Sequence, residues 1–168
     1  MAVLFLDTSA LAKLYFEESG SAHVISLASD ERNQIVIGVL AEVELRAAVR
    51  KRQRMKHLDA DDADEILQRF EAHLESGFVR QSLNQQVLDR AGELLDEYPL
   101  RAYDSMQLAS CLVYGAGSDA ERPCFVCADR DLLLAARSEG LLGRGSSGLA
   151  SQSVLVGSDI HRPSSGTP

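Results

Sequence analysis

Short apolar runs that alternate with helical patterns are the strongest constraint on how this chain folds. Residues 2–6 (AVLFL) and 124–128 (CFVCA) are continuous apolar runs, as expected of strands buried on both faces. Shorter runs at residues 35–37 and 78–82 are further candidate strands. Because strands separated by helices usually pair in parallel, the sequence predicts an α/β fold with helices on both faces of a parallel sheet.

Helical periodicity covers most of the chain between these runs. The first predicted helix follows residue 7, with Thr8 or Ser9 as its cap, and the others span residues 21–29, 40–54, 61–76, 87–97, 102–114 and 132–138. The pattern decays after residue 142. There we expect a loop at 143–147, a candidate last edge strand at 154–156 and a flexible tail at 162–168. The predicted division is therefore a folded domain over residues 1–142 and a separate segment over 143–168.

Composition limits the classes of protein that need to be considered. A chain of 168 residues with 45% hydrophobic and 25% charged content is typical of one globular domain. Its 25 acidic and 17 basic side chains give a net charge of -8, so a polyanion must be bound through local features. No segment approaches twenty apolar residues, and we expect a soluble cytoplasmic protein without a membrane span. An odd number of cysteines, 3, argues against a disulfide framework.

Four carboxylates interrupt otherwise apolar elements, and two of them directly follow strands. Asp7 and Asp129 come after the two clearest apolar runs. Because ligands collect at the carboxyl ends of parallel strands, both residues are predicted to lie at a site on that edge. A local turn or helix cap explains each aspartate as well. Asp131 is a weaker candidate, since an acid in the first turn of a helix also complements the helix dipole.

Helical periodicity separates Glu44 from its neighbour Glu42. Residues advance by about 100° on a helix, so these two side chains point roughly 200° apart and cannot share a small site. Glu42 lies four residues before Arg46, which is typical of a solvated ion-pair stripe. Glu44 is predicted to lie within an apolar arc, where a carboxylate needs a cation or another partner. A metal ion or a core arginine would satisfy it.

Asp104 opens a helix that is apolar on almost every side. Its spacing to Gln107 fits a capping box, which gives Asp104 a purely local explanation as an N-cap. A cap and a metal ligand remain compatible because a carboxylate has two oxygens. We therefore retain Asp104 as the fourth member of the predicted site, alongside Asp7, Glu44 and Asp129.

A basic stretch stands out in this acidic chain and is a candidate for phosphate contacts. Its alternative interpretation is a solvated helix face with cations near the helix C-terminus. The candidate residues are Arg46, Arg50, Lys51, Arg52 and Arg54.

Four segments form an ordered series between residues 2 and 142. They are LDTSAL (6–11), VELRAA (43–48), LRAYDSMQLA (100–109) and ADRDLLLAA (128–136). Taken together they resemble the successive motifs of PIN-domain proteins and, more narrowly, of the VapC toxins of type II toxin–antitoxin modules. The glycine- and serine-rich stretch after residue 142 departs from the compact final strand expected of that family.

The resemblance implies a three-layer α/β/α fold around a central parallel sheet and an endoribonuclease dependent on Mg²⁺ or Mn²⁺. It implies a homodimer that is inhibited by a VapB-like antitoxin encoded beside it. Carried over position by position, the catalytic and metal-binding residues are Asp7, Glu44, Asp104 and Asp129, and Thr8 or Ser9 lies on the supporting hydroxyl position.

Two other functions remain open from the sequence. A PIN nuclease could act in RNA processing and not as a toxin. A non-catalytic Mg²⁺-binding domain of the receiver type would also place acids at strand ends. Such a domain requires paired acids after its first strand and a lysine after a late strand, whereas this chain has Leu6-Asp7 and Ala128-Asp129-Arg130.

Overall fold

The computed structural model describes residues 2–117 and 122–141. The predictions for residues 143–147, 154–156 and 162–168, and for 143–168 as a separate segment, concern residues outside these ranges. Four strands form one parallel sheet in the order β3-β2-β1-β4. They are β1 (Val3–Leu6), β2 (Gln34–Gly38), β3 (Phe78–Gln81) and β4 (Cys124–Val126).

Seven helices are present in the described residues, and the predicted helices correspond to them within a few residues at each end. Three of them begin with an aspartate cap, Asp7 before the first helix, Asp59 before the fourth and Asp129 before the seventh. The predicted Thr8 or Ser9 cap of the first helix was therefore wrong by one or two positions. The helices are α1 (Thr8–Ala12), α2 (Ser21–Ala28), α3 (Val39–Arg54), α4 (Ala60–Ser76), α5 (Gln85–Glu97), α6 (Ala102–Ala116) and α7 (Arg130–Ser138).

Side chains alternate across the sheet and divide the core into two layers. Phe5 and Val36 face a cluster built with α5, α6 and α7, and Phe5 stacks on Phe125 with ring centroids 6.0 Å apart. Leu6 and Ile37 face the other cluster, which is built with α1, α3 and α4. The predicted three-layer α/β/α arrangement is confirmed.

The register of the sheet determines where its ligand edge lies. Leu6 at the end of β1 pairs with Ile37 of β2 and with Val126 of β4, so the three strands end at the same level. Asp7 continues this alignment, because its backbone N–H donates to Val126 O at 3.1 Å. The first turn of α1 and the start of α3 therefore meet at one edge.

The cysteines behave as core residues. Cys111 and Cys127 are buried, Cys124 is half-buried, and all three are free thiols. Within residues 2–117 and 122–141, no helix has the length and apolar character that crossing a membrane requires.

Candidate functional site

A cavity of about 370 Å³ opens at the carboxyl end of β1. It brings together three of the four predicted acids with hydroxyl, amide and ammonium groups from α1, α3 and α6. Its lining consists of Asp7, Thr8, Ser9, Ala12, Lys13, Glu18, Glu44, Ala48, Asp104, Gln107 and Ala128.

Asp7 is a helix cap and also lines the cavity. Its Oδ1 accepts from the backbone N–H of Ala10 at 2.8 Å and from Ser9 Oγ at 2.8 Å. Only 5% of the residue is exposed, and this desolvation raises the pKa of Asp7 to about 7, with the charge of Asp104 acting in the same direction. The cap alternative and the predicted position at the ligand edge are therefore both correct for this residue.

Ser9 ties this cap to the neighbouring strand. Its hydroxyl donates to Asp7 and accepts from the backbone N–H of Ala128 at 2.9 Å. The hydrogen bond joins α1 to the segment that leaves β4, 119 positions along the chain. Ser9 thus connects the Asp7 carboxylate to the backbone that follows β4.

Glu44 is half-buried at the margin of the apolar face of α3. Its Oε2 accepts from Thr8 Oγ1 and, at 2.9 Å, from Gln107 Nε2. The predicted apolar arc around Glu44, which consisted of Leu40, Val43, Ala47 and Ala48, was partly wrong, because Val43 is 69% exposed. The buried stripe of α3 consists of Ala41, Leu45 and Val49.

Glu42 points away from this cavity but is not part of the predicted solvated stripe. Its Oε1 lies 3.7 Å from Arg80 Nη1 of β3, is buried and accepts no hydrogen bond from the described residues. Arg46 instead pairs with Glu71, and Arg50 pairs with Asp64, each at 2.8 Å. Acids on α4 compete successfully for both arginines because α4 packs beside α3.

Asp104 lies in the first turn of α6 and is not its N-cap, which is Arg101. The capping-box interpretation was therefore wrong, and the helix begins two residues before Asp104. The side chain of Gln107 reaches across the cavity and donates to Thr8 Oγ1 as well as to Glu44. Burial, Asp129 and Glu44 raise the pKa of Asp104, while Arg101 opposes the shift.

Asp129 occupies the margin of the site. It is exposed, caps α7 through a 3.0 Å bond from the backbone N–H of Leu132 to Oδ1, and does not line the cavity. Its charge nevertheless acts on Asp104. Asp131 is exposed in the first turn of α7 and also lies off the cavity, so the structure does not add it to the site.

Three cavity residues were not assigned a role from the sequence. Gln107 was noted only as a motif and capping residue, although its spacing of three from Asp104 on one helix face was a usable signal. Its Oε1 is buried without a hydrogen bond from the described residues, and a Cβ at Gly38 would lie 3.1 Å from it. Lys13 and Glu18 come from the connection after α1.

The basic candidates on α3 differ in their surroundings. Arg46 and Arg50 are held by α4 acids, and Arg52 bonds Glu18, a residue of the cavity. Lys51 and Arg54 are exposed and form no ion pair with other described residues. Contact between these five residues and RNA stays a prediction.

The donor set suits a hard cation that keeps part of its water shell. Asp7, Glu44 and Asp104 offer oxygen ligands of the kind that Mg²⁺ and Mn²⁺ prefer. No group of three or more His, Cys, Asp or Glu side chains in the described ranges is arranged to hold a metal ion. Mg²⁺ commonly binds one or two carboxylates and retains several waters, so the set fits it with part of the contacts through water.

Comparisons with known proteins agree with the fold described above. The family profile for the PIN domain matches residues 4–137. The solved structure of VapC20, a sarcin–ricin loop cleaving toxin from Mycobacterium tuberculosis, is similar with a TM-score of 0.58 and 16% identity. That similarity covers 80% of this chain and 95% of VapC20 and concerns the fold. No curated protein sequence matches the chain. The match over residues 4–137 shows that this chain belongs to the PIN-domain family.

Proposed function

We propose that this protein is an endoribonuclease dependent on Mg²⁺ or Mn²⁺ and the toxin of a type II toxin–antitoxin system. The observation that carries the proposal is the convergence of Asp7, Glu44 and Asp104 on one cavity at the carboxyl edge of a PIN-domain sheet. Asp129 joins them through its charge on Asp104. A receiver-type domain is not supported, because its paired acids and late lysine are missing from the matching positions.

When bound, Mg²⁺ or Mn²⁺ would supply the positive charge that stabilises a phosphodiester transition state and favours a hydroxide nucleophile. Asp7 and Asp104 are the residues best placed to hold it. Ser9 and the N–H of Ala10 orient the Asp7 carboxylate through bonds to Oδ1, and Ser9 also reaches Oδ2 at 3.0 Å.

Glu44 is oriented for a proton-transfer role. Thr8 and Gln107 both donate to Oε2, and Oε1 accepts no hydrogen bond from another described residue. In our proposal Oε1 accepts a proton from the attacking water as its oxygen bonds to phosphorus. One P–O ester bond breaks in the same step, and the leaving ribose oxygen takes a proton from solvent. Glu44 is positioned by α3, and Asp129 is positioned as the N-cap of α7.

The substrate and partners belong to the same proposal. VapC20 is described as cleaving the sarcin–ricin loop, so structured RNA loops are the first substrates to test. We further propose a cytoplasmic homodimer that a VapB-like antitoxin inhibits. An adjacent small reading frame whose product restores growth would supply that partner.

Growth and cleavage assays test the proposal together. Induced expression in a bacterial host should arrest growth, and Asp7→Asn should relieve the arrest while keeping the helix cap, since asparagine also caps well. Purified protein should cleave structured RNAs when Mg²⁺ or Mn²⁺ is added.

The outcomes separate the alternatives. Cleavage without growth arrest would support a PIN nuclease of RNA processing. If induced wild type and Asp7→Asn grow equally and structured RNAs stay intact with either metal, the nuclease proposal is wrong.

A further inference from the structure

Lys13 places a buried positive charge in a cavity otherwise rich in acids. The residue is 6% exposed, and its Nζ donates to the backbone oxygen of Ser19 at 2.7 Å. The same nitrogen lies 3.6 Å from Glu18 Oε2. A buried ammonium group needs such partners, because removing it from water is costly. Its position is therefore determined before any ligand arrives.

Arg52 holds the other oxygen of the same carboxylate. Its Nη2 hydrogen-bonds to Glu18 Oε1. The guanidinium carbon lies 3.9 Å from the centroid of the Phe16 ring, and Phe16 itself is buried. Such stacking on an aromatic face holds an arginine in one orientation. Two cations from separate elements, the end of α1 and the end of α3, thus converge on one anionic group.

Glu18 occupies the position between them and lines the cavity. Its side chain is 34% exposed, so it can leave toward solvent, whereas Lys13 is almost wholly enclosed. One carboxylate oxygen faces each cation. Two oxygens on one anionic centre are also what a phosphodiester offers through its non-bridging oxygens, and arginine and lysine are its usual ligands.

We propose that Lys13 and Arg52 form a phosphate subsite for the RNA backbone beside the carboxylate cavity, and that Glu18 fills this subsite in the free protein. Binding of RNA displaces Glu18 toward solvent, and a backbone phosphate takes its place. The inference rests on the proposed nuclease function and names the way in which the substrate is bound.

The subsite accounts for how an acidic chain binds a polyanion. The protein carries a net charge of -8, and three carboxylates besides Glu18 line the same cavity as Lys13. An uncovered pair of cations at the rim offsets local repulsion and positions the chain of phosphates relative to the acids. With Glu18 in place, both cations are paired within the protein.

Binding of a labelled RNA tests this directly. The probe is a fluorescein-labelled 12-nucleotide single-stranded RNA, measured by anisotropy at several salt concentrations in EDTA, so that cleavage does not interfere. Glu18→Gln should bind about 5- to 10-fold more tightly than wild type, because the subsite loses its charged occupant. Lys13→Met and Arg52→Met should bind more weakly and reduce the salt slope by about 0.7, the value for one phosphate contact on single strands.

A matched control separates the subsite from a general charge effect. Asp30→Asn removes the same charge as Glu18→Gln and releases Arg32, which is paired with Asp30 before β2 and so lies at the opposite edge of the sheet. It should bind the RNA as wild type does. Equal tightening by Asp30→Asn and Glu18→Gln would overturn the proposal.

Three further outcomes also test the phosphate subsite. If circular dichroism shows that Glu18→Gln does not fold, Arg52→Met becomes the deciding variant, because methionine keeps contact with Phe16. An RNA affinity or salt slope of Arg52→Met equal to that of the wild type then overturns the subsite. Loss of the Mn²⁺-induced rise in melting temperature in Glu18→Gln would show that Glu18 is a metal ligand and would also overturn it. If Glu18→Gln changes RNA binding but the protein does not cleave RNA, the subsite proposal stands and the nuclease proposal is wrong. If the protein cleaves RNA but Glu18→Gln leaves RNA binding unchanged, the nuclease proposal stands and the subsite proposal is wrong.

Discussion

Thr8 donates its hydroxyl to Glu44 Oε2 at 2.5 Å, joining the first turn of α1 to α3 across 36 positions in the chain. Gln107 donates to the same two side chains, each at 2.9 Å. Glu44 is therefore oriented by groups from two other helices. A carboxylate held in this way keeps one oxygen in a defined direction, which a general base requires.

The two glutamates of α3 provide a paired test of the site. Glu44→Gln preserves the shape of the side chain and an oxygen that accepts from Thr8 and Gln107, but it removes the negative charge. The metal-dependent rate of RNA cleavage should therefore fall by roughly 10²-fold. Glu42→Gln should cleave at nearly the wild-type rate, because Glu42 faces Arg80 and not the cavity. Single-turnover cleavage of the same RNA measures both.

The ion pair between Glu42 and Arg80 determines how much stability the Glu42→Gln variant should lose. The 3.7 Å ion pair with Arg80 is half-exposed, so its loss should cost less than about 1 kcal/mol of unfolding free energy. Both variants have the same net charge, and a general electrostatic effect predicts equal rate losses. Equal losses, or a larger one at Glu42, would mean that the site has been assigned to the wrong face of α3.

Gln107 positions Glu44, and its replacement should separate activity from folding. Gln107→Leu removes both donated hydrogen bonds and also the buried Oε1 that accepts none from the described residues. The two effects on stability oppose each other, so unfolding free energy should change little while the cleavage rate falls about tenfold. Urea unfolding and cleavage kinetics measure the two quantities. An unchanged rate would assign Gln107 a role in packing alone.

Ser9 should matter for stability as much as for the site. Ser9→Ala leaves the backbone N–H of Ala128 without its acceptor and removes a donor from Asp7. An unsatisfied group of this kind costs about 1 to 3 kcal/mol. Ser76→Ala is the control, since its hydroxyl bonds only an exposed backbone oxygen of α4, and its cost should stay within about 0.5 kcal/mol. If Ser9→Ala and Ser76→Ala lose similar amounts of unfolding free energy, the hydrogen bond between Ser9 and Ala128 does not stabilise the fold.

The raised pKa of Asp7 predicts how the metal-free protein responds to pH. Its pKa is about 7 in the folded state against 3.8 for the unperturbed group, so the folded protein keeps a proton that the unfolded chain loses. Unfolding free energy should fall as pH rises between about 4 and 7, by on the order of 4 kcal/mol, and level off above that window. The shift in Asp104 acts in the same direction.

Urea unfolding in EDTA across this pH range, compared with Asp7→Asn, isolates the contribution of Asp7. The variant cannot titrate at this position, so its stability should fall less steeply. Parallel curves for the two proteins would show that Asp7 is ionised throughout.

Asp104 should link metal binding to stability. Mg²⁺ or Mn²⁺ at about 100 times its Kd should stabilise the wild type by about 2.7 kcal/mol. Asp104→Asn should stabilise the metal-free protein, because it removes repulsion from Asp129 and Glu44, and should weaken the metal response. Asp62→Asn, an exposed first-turn acid of α4, controls for loss of charge. Thermal melting that shows the same metal response in all three proteins would place Asp104 outside the metal site.

Local pattern was enough to predict the elements and the edge on which the acids gather. Apolar runs and helical periods are properties of neighbouring residues, so β1 and β4 could be located, and Asp7 could be placed at the end of a strand. The same information predicted that the helix of Asp104 begins at residue 102, but not that Arg101 is its N-cap, since an aspartate near a helix N-terminus fits the cap and the first turn almost equally.

Only the tertiary structure decided which side chains meet. Arg46 and Arg50 bond acids of α4 and not Glu42, and Gln107 reaches across the cavity to Thr8. These choices depend on contacts between residues far apart in the chain, where several acids compete for each cation and packing selects one. The sequence determined the fold class and the placement of Asp7 and Asp129 at strand ends. The packing of α1, α3 and α6 brought Thr8 and Gln107 to Glu44, because pattern is local and hydrogen-bond geometry is not.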